Sequence, residues 1–352
     1  MGATPDAVPV TLLTGFLGSG KTTLLQRILS ETHGQRFAVI ENEYGEVGID
    51  HELLRNAAGA EQIVELANGC ICCSVRGDLL RVLGDLQGER ERGTLGFDRV
   101  VIETTGLADP GPVMRTLARP GPLGGRYRLD AVITVVDAKH GQRTLDEFPE
   151  AQAQVGFADR ILLSKTDLVP EESAACLTAR LAGMNPHASI ARVHFGVTPI
   201  GELFDVPPTS TDFRRVVRDS RHTDRIGSFA FRATRPFELS RLDDFLASVV
   251  DLYGADMLRY KGVLDVAGRG ERVIFQGVQT LLEVAWGAPW ANDELRTSAL
   301  VFIGRDLPRT LLERGLEGCL VAAQCSMAPR PLVAEGTTLW PRSTSPSATA
   351  RW

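Results

Sequence analysis

Between Val8 and Ser164 the chain alternates short, almost wholly apolar runs with stretches whose apolar residues recur three or four apart. The runs Val8–Thr14, Phe37–Ile40, Arg99–Glu103, Ala131–Asp137 and Arg160–Ser164 read as strands. After the first of them, Thr22–Ser30 puts Leu24, Leu25, Ile28 and Leu29 on one stripe of a helix. Strands without polar alternation, separated by helices, are buried on both faces. They predict an α/β domain with a mostly parallel sheet covered by helices. Val206-Pro207-Pro208-Thr209-Ser210-Thr211 reads as a linker. The pattern then changes. Ser228–Ala233, Gly262–Val266, Arg272–Gln276, Leu281–Trp286 and Leu300–Ile303 read as strands. Ser240–Leu252 reads as a helix with Ser240 as N-cap, and Pro308–Leu316 as another. The expected organisation is a first domain over 1–205, a linker over 206–226, a smaller α+β domain over 227–328 and a Pro-, Ser- and Thr-rich disordered tail over 329–352. No internal repeat is visible.

Composition narrows the classes. A chain of 352 residues, 43% hydrophobic and 23% charged, has length for a sizeable core and two domains, and is neither fibrous nor disordered. No run approaches the roughly 20 apolar residues of a membrane span. The start, Met1-Gly2-Ala3-Thr4-Pro5-Asp6, lacks a basic and apolar leader pattern, so a cytoplasmic protein without a membrane partner is expected. A net charge of −6 argues against a nucleic-acid partner. Six cysteines in a reducing compartment are thiols or metal ligands. The 38 cations include only four lysines, Lys21, Lys139, Lys165 and Lys261. At Lys21 and Lys165 a compact ammonium that a guanidinium fork cannot replace is expected, while Lys139 and Lys261 have no assigned role.

Two of those lysines sit in phosphate- and base-type motifs. Gly15-Phe16-Leu17-Gly18-Ser19-Gly20-Lys21-Thr22 is a P-loop pattern placed between a strand and a helix. Gly15, Gly18 and Gly20 let successive backbone N–H groups, with that of Ser19, turn toward phosphate oxygens. Lys21 supplies a point charge, Thr22 offers a hydroxyl to Mg²⁺, and Thr23 completes the phosphate-binding set. A second carboxylate for Mg²⁺ is expected at a neighbouring strand end. Glu103, in Glu103-Thr104-Thr105-Gly106, is favoured, with the Gly106 N–H offered to the γ-phosphate; Asp137 is the competing acid. The strand Ile161–Leu163 runs into Ser164-Lys165-Thr166-Asp167. Asp167 can accept both N1–H and the exocyclic amine of guanine, whereas adenine has no N1–H. The Lys165 stem can lie over the base. The common GTPase pattern begins with Asn, and Ser164 lacks its amide.

Asn68-Gly69-Cys70-Ile71-Cys72-Cys73 puts three thiols within four residues. Thiolates so close are stabilised by a shared soft cation, which suits Zn²⁺ or Cu(I), with Co²⁺ also accommodated. Buried free cysteines and a redox dithiol are the other readings. Cys176, Cys319 and Cys325 are isolated, so no second pair closes a structural zinc site. The cluster, and the acidic segment from Glu41, lie between the P-loop and Glu103, the interval that houses nucleotide-sensitive switch segments in P-loop GTPases.

Taken together, Thr14–Thr22, Glu41-Asn42-Glu43-Tyr44-Gly45-Glu46, Gly69–Cys73, Glu103–Gly106 and Ser164–Asp167 resemble the CobW/YjiA family of metal-chaperone GTPases. Leu258–Gly262, Phe275–Gln279 and Val301–Gly304 extend the resemblance into the second domain, over roughly residues 8–318. The resemblance implies a P-loop fold and a slow GTPase using GTP and Mg²⁺. It implies that Zn²⁺, or another transition metal, binds at Cys70, Cys72 and Cys73, with Glu41 and Glu46 contributing, and passes to a client apo-metalloprotein. A homodimer is admitted. The His-rich stretch of many relatives has no counterpart in the six scattered histidines. A nucleotide-dependent interaction protein and a small-molecule kinase are the alternatives; the kinase leaves the cysteines unexplained.

Overall fold

The computed structural model describes residues 7–30, 36–41, 62–65, 71–118, 125–194, 224–291, 293–322 and 349–351. They divide near residue 226 into two compact units. In the first, the order is β1 (Val8–Gly15), α1 (Lys21–Ser30), β2 (Phe37–Glu41), β3 (Gln62–Glu65), α2 (Ile71–Arg92), β4 (Arg99–Glu103), α3 (Gly111–Ala118), β5 (Tyr127–Asp137), α4 (Gly141–Glu147), α5 (Pro149–Phe157), β6 (Arg160–Ser164), a 3₁₀ turn (Thr166–Leu168), α6 (Glu171–Met184) and β7 (Ser189–Arg192). The seven strands form one sheet in the order β3-β2-β4-β1-β5-β6-β7, every pair parallel. The strands with continuous apolar runs occupy the interior of this order. Val10, Leu12, Val100, Val101, Val132 and Leu162 are fully buried, because helices cover both faces. β3 and β7 were not foreseen. Both are four-residue strands at the sheet edges, with two apolar residues each, and an edge strand needs no continuous apolar run.

Parallel pairing brings the C-terminal strand ends to one edge. Register sets Leu13 beside Glu103, Gly15 beside Val135, and Asp137 beside Ser164. In open α/β sheets this edge, at the point where strand order reverses, is where ligands bind. Behind it, α5 is buried on every side from Ala151 to Phe157. Its polar side chains therefore need partners. Gln152 accepts from the Arg225 and Ile226 N–H groups and donates to the Leu145 carbonyl at 2.8 Å. Nearby, the Arg180 guanidinium pairs with Asp224, both almost fully buried, and also donates to Asp146 and Gln142 on α4.

The second unit contains β8 (Ile226–Ala233), α7 (Leu239–Tyr253), β9 (Arg259–Leu264), β10 (Glu271–Val278), β11 (Leu281–Pro289), β12 (Ser298–Arg305), α8 (Arg309–Gly318) and β13 (Thr349–Arg351). Its six-stranded sheet has the order β13-β11-β10-β9-β12-β8, and the four strand pairs from β13 to β12 are antiparallel. α7 and α8 pack Leu242, Leu246, Leu312 and Leu316 onto Tyr260, Phe275 and Phe302 of the sheet. The alternation within these strands reflects one covered face. Ser240 is not the N-cap of α7. The helix begins at Leu239, which packs on the core, and Glu238 holds the cap position without a side-chain cap bond. Ser240 sits inside the first turn and donates to Glu238 at 3.2 Å. Of the tail, residues 323–348 lie outside the described residues, and Thr349–Arg351 pair with β11.

Candidate functional site

The loop from β1 to α1 turns through three glycines with positive φ: +145° at Gly15, +68° at Gly18 and +105° at Gly20. Side chains other than glycine rarely adopt these angles. Gly15 is also excluded from change by contact, since a Cβ there would strike the Val135 carbonyl of β5. The Lys21 ammonium folds back over the loop and donates to the carbonyls of Gly15 at 2.9 Å and Phe16 at 3.3 Å. The Ser19 hydroxyl is buried with no hydrogen-bond partner among the described residues, an orphan donor at the mouth of a helix. Such a group marks a place where a ligand oxygen belongs. Thr22 is half-buried and Thr23 exposed in the first turn of α1.

Glu103 ends β4 beside this loop, half-buried. The chain after it is pinned to β1: the Thr104 N–H donates to the Leu13 carbonyl at 3.0 Å, and the Thr104 hydroxyl to that of Thr14 at 2.8 Å. Gly106 then presses on the P-loop, and a Cβ on it would lie 2.6 Å from the Leu17 nitrogen. Only glycine lets these two loops touch. A cavity of about 330 Å³ opens beside them, with Phe16, Leu17, His140, Gln154 and Lys165 in its wall.

On the other side of the P-loop, β6 delivers the second motif. The buried Ser164 hydroxyl donates to the Ser19 carbonyl at 2.7 Å, tying the base-side strand to the phosphate loop across 145 residues of sequence. Lys165 takes a left-handed conformation, φ +57°, and its ammonium bridges the Gly18 carbonyl at 2.7 Å and the Asp137 carboxylate at 2.8 Å. Asp167 lies in the 3₁₀ turn, half exposed, with His194 3.8 Å away. Asp137 is thus fully engaged. One oxygen accepts the Lys139 N–H at 2.7 Å, the other meets Lys165 and the His140 ring at 3.0 Å. Burial pushes the Asp137 carboxyl up, but the hydrogen bonds from Lys165, His140 and Lys139 outweigh it and hold the group below the usual carboxylate range.

The thiol site lies largely outside this description. Cys70 and Glu46 lie outside the described residues. Of Glu41, Cys72 and Cys73 only the backbone is described: Glu41 ends β2, and both cysteines fall in the first turn of α2. Cys319 is a buried thiol in the second unit, pushed up to about 11 by burial and donating to the Arg241 carbonyl at 3.4 Å. It is a core residue and no ligand. Sequence reasoning missed Gln154 and the positioning of Lys165 by Asp137. Gln154 carries no sequence signal, since a glutamine in a helix is ordinary.

A glycine-lined loop from strand to helix, a buried ammonium, an orphan hydroxyl and a second loop in contact define a P-loop nucleotide-binding α/β protein. The chain belongs to the CobW/HypB/UreG family: the family's nucleotide-binding domain matches residues 9–192, and the cobalamin synthesis protein cobW C-terminal domain matches residues 226–320. It is 43% identical over 323 residues to the zinc chaperone YjiA of Escherichia coli, covering 89% of this chain and 99% of that protein. It is 33% identical over 354 residues to the zinc chaperone CobW of Pseudomonas aeruginosa, covering 89% and 92%. The crystal structure of Zn(II)-bound YjiA GTPase from E. coli matches it with a TM-score of 0.74 at 36% identity, over 89% of this chain and 99% of that one.

Proposed function

We propose that the protein is a GTP-hydrolysing metallochaperone. It binds Zn²⁺, or a comparable ion such as Co²⁺, at Cys70, Cys72 and Cys73 with Glu41 and Glu46, and hands it to a client apo-metalloprotein. The observation that carries this reading is the register of β2 against β4. Ile40 pairs with Ile102, so Glu41 and Glu103, which follow them, end neighbouring parallel strands at one edge. α2 follows β3, whose end is at that same edge, and Cys72 and Cys73 are in its first turn. The acid assigned to the cargo metal and the acid assigned to the phosphate side are thereby neighbours on one rigid sheet. The relatives named zinc chaperones support the choice of metal.

The nucleotide chemistry follows from the cradle. The N–H groups of Gly18, Ser19 and Gly20, with Gly15 shaping the turn and Thr23 at the helix start, receive the phosphates. Lys21 exchanges the Gly15 and Phe16 carbonyls for phosphate oxygens and neutralises charge that develops as the γ-phosphoryl leaves. The Gly106 N–H reads the γ-phosphate. Asp167 accepts from the guanine edge, the Lys165 stem covers the ring, and Ser164 keeps this strand in register with the P-loop. The hydroxyl of Thr22 and the carboxylate of Glu103 are hard oxygen donors that fit Mg²⁺. Held by these two groups, Mg²⁺ would neutralise phosphate charge. Asp137 has both oxygens engaged, with the Lys139 N–H on one and Lys165 on the other. In this scheme hydrolysis removes the group that Gly106 reads, and the hold on the metal loosens.

Two linked measurements test the proposal. Protein purified anaerobically in Zn²⁺ should hold metal in the wild type and lose it in Cys72→Ala. Multiple-turnover phosphate release from GTP should vanish in Lys21→Ala. Undiminished metal in Cys72→Ala, or no turnover in the wild type, defeats it.

A further inference from the structure

The loop from Thr104 to Pro110 is anchored at its start by Thr104 on β1, and at its end by the Asp109 carboxylate accepting the Gly111 N–H at 2.8 Å. Its middle is held from behind. Gln154 of α5 is 1% exposed, and its side-chain amide donates to the carbonyls of Gly106 at 3.1 Å and Ala108 at 3.0 Å. The helix is tied to β5, because the Gln154 main-chain carbonyl accepts the Thr134 hydroxyl at 2.8 Å. Gly106 is therefore confined on two sides: Gln154 fixes its carbonyl, and Leu17 leaves no room for a side chain on it. A buried amide that spends both N–H groups on two carbonyls of one loop fixes that loop's shape.

We propose that Gln154 is a positioning residue for GTP hydrolysis. It sets the height of the Gly106–Ala108 segment over the P-loop, so that the Gly106 N–H meets the γ-phosphate without reorganisation. It touches no reacting atom. The inference rests on Gly106 reading the γ-phosphate, as proposed above. A misplacement of about 1 Å in a positioned group costs up to about a hundredfold in rate.

The test uses the full chain with Gln154→Met, Gln154→Glu and Gly106→Ala. Methionine keeps the volume without donors, and glutamate keeps the shape but has at most one O–H to offer the two carbonyls. kcat and KM for GTP are measured, together with affinities for GDP and for the non-hydrolysable triphosphate GppNHp. The Gln154 variants should lose about ten- to a hundredfold in kcat and in preference for GppNHp over GDP, while GDP affinity stays within about twofold. If they melt earlier yet keep wild-type kcat and the wild-type preference, Gln154 is only a core residue and the proposal falls. If Gly106→Ala alone changes the preference, the γ-phosphate reading survives and the role of Gln154 does not. If Gly106→Ala leaves the preference unchanged, the reading fails and the inference with it. In the unaltered chain, amide hydrogen exchange over 105–110 must be slower with GppNHp than with GDP; equal exchange overturns the proposal even if no variant folds.

Discussion

Replacing Asp137 by Asn preserves volume and removes one charge from a nearly buried position. In the native site the carboxylate receives the Lys165 ammonium at 2.8 Å, the His140 ring at 3.0 Å and the Lys139 N–H at 2.7 Å. Asparagine keeps a carbonyl for the backbone donor, but its amine then faces Lys165 or His140. A charge-assisted bond of this kind contributes about 1.5–3 kcal/mol when sheltered. Lys165 is one-third exposed and keeps the Gly18 carbonyl, so the lower end applies, about 1.5 kcal/mol. That corresponds to about a tenfold loss of nucleotide affinity. Because Lys165 serves the base and not the γ-phosphate, GTP and GDP should lose equally. Titration with fluorescent GDP and GppNHp, with and without Mg²⁺, measures this. A loss confined to the triphosphate and dependent on Mg²⁺ would refute the reasoning, for it would make Asp137, and not Glu103, the metal-side acid.

Further consequences are open to the same kind of measurement. Asp224→Ala removes the buried partner of Arg180 and leaves its guanidinium to Asp146 and Gln142, which should cost about 2 kcal/mol in chemical denaturation; a loss under about 0.5 kcal/mol would mean that the pair holds nothing together. The Asp137 carboxyl is held below its usual range, so its contribution to stability is complete above an unfolded value of about 4 and is lost as pH falls from there through the lower folded value. The stability difference between wild type and Asp137→Asn should therefore be flat from pH 7 to 5 and shrink below 4; a difference that vanishes already at pH 6 contradicts the assignment. Asp167→Ala should reduce the preference for GDP over ADP by about a hundredfold or more, read by competition binding, and an unchanged ratio would remove Asp167 from the base site.

The sheet was legible wherever strands are buried on both faces, because burial leaves an unbroken apolar run such as Val100-Val101-Ile102 or Ile161-Leu162-Leu163. β3 and β7, at the edges, leave no such trace. The P-loop was legible because its chemistry is local: the glycines, Lys21 and Thr22 act within eight residues. What could not be read is what the fold assembles from distant segments. Ser164 looked like a departure from an Asn pattern, and its bond to the Ser19 carbonyl exists only once β6 is placed two strands from β1. Asp137 carried an ambiguous signal, an acid at a strand end, and its partners decide its part. Ser240 satisfied the composition of an N-cap, yet Leu239, packed against the core, is the first helical residue and the cap falls two residues earlier, at Glu238. The cysteine cluster is the reverse case: strong in sequence, with Cys70 outside the described residues.

The central claim is that nucleotide state and metal affinity are coupled through one sheet edge. The direct measurement is Zn²⁺ affinity of the full chain by competition with a chromophoric chelator, in saturating GppNHp with Mg²⁺ and again in saturating GDP. The account requires tighter Zn²⁺ binding in the triphosphate state, by about tenfold or more, and the reciprocal gain in GppNHp affinity when Zn²⁺ is bound. Equal Zn²⁺ affinity in the two states would contradict it, since a ligand that does not distinguish two states cannot shift them.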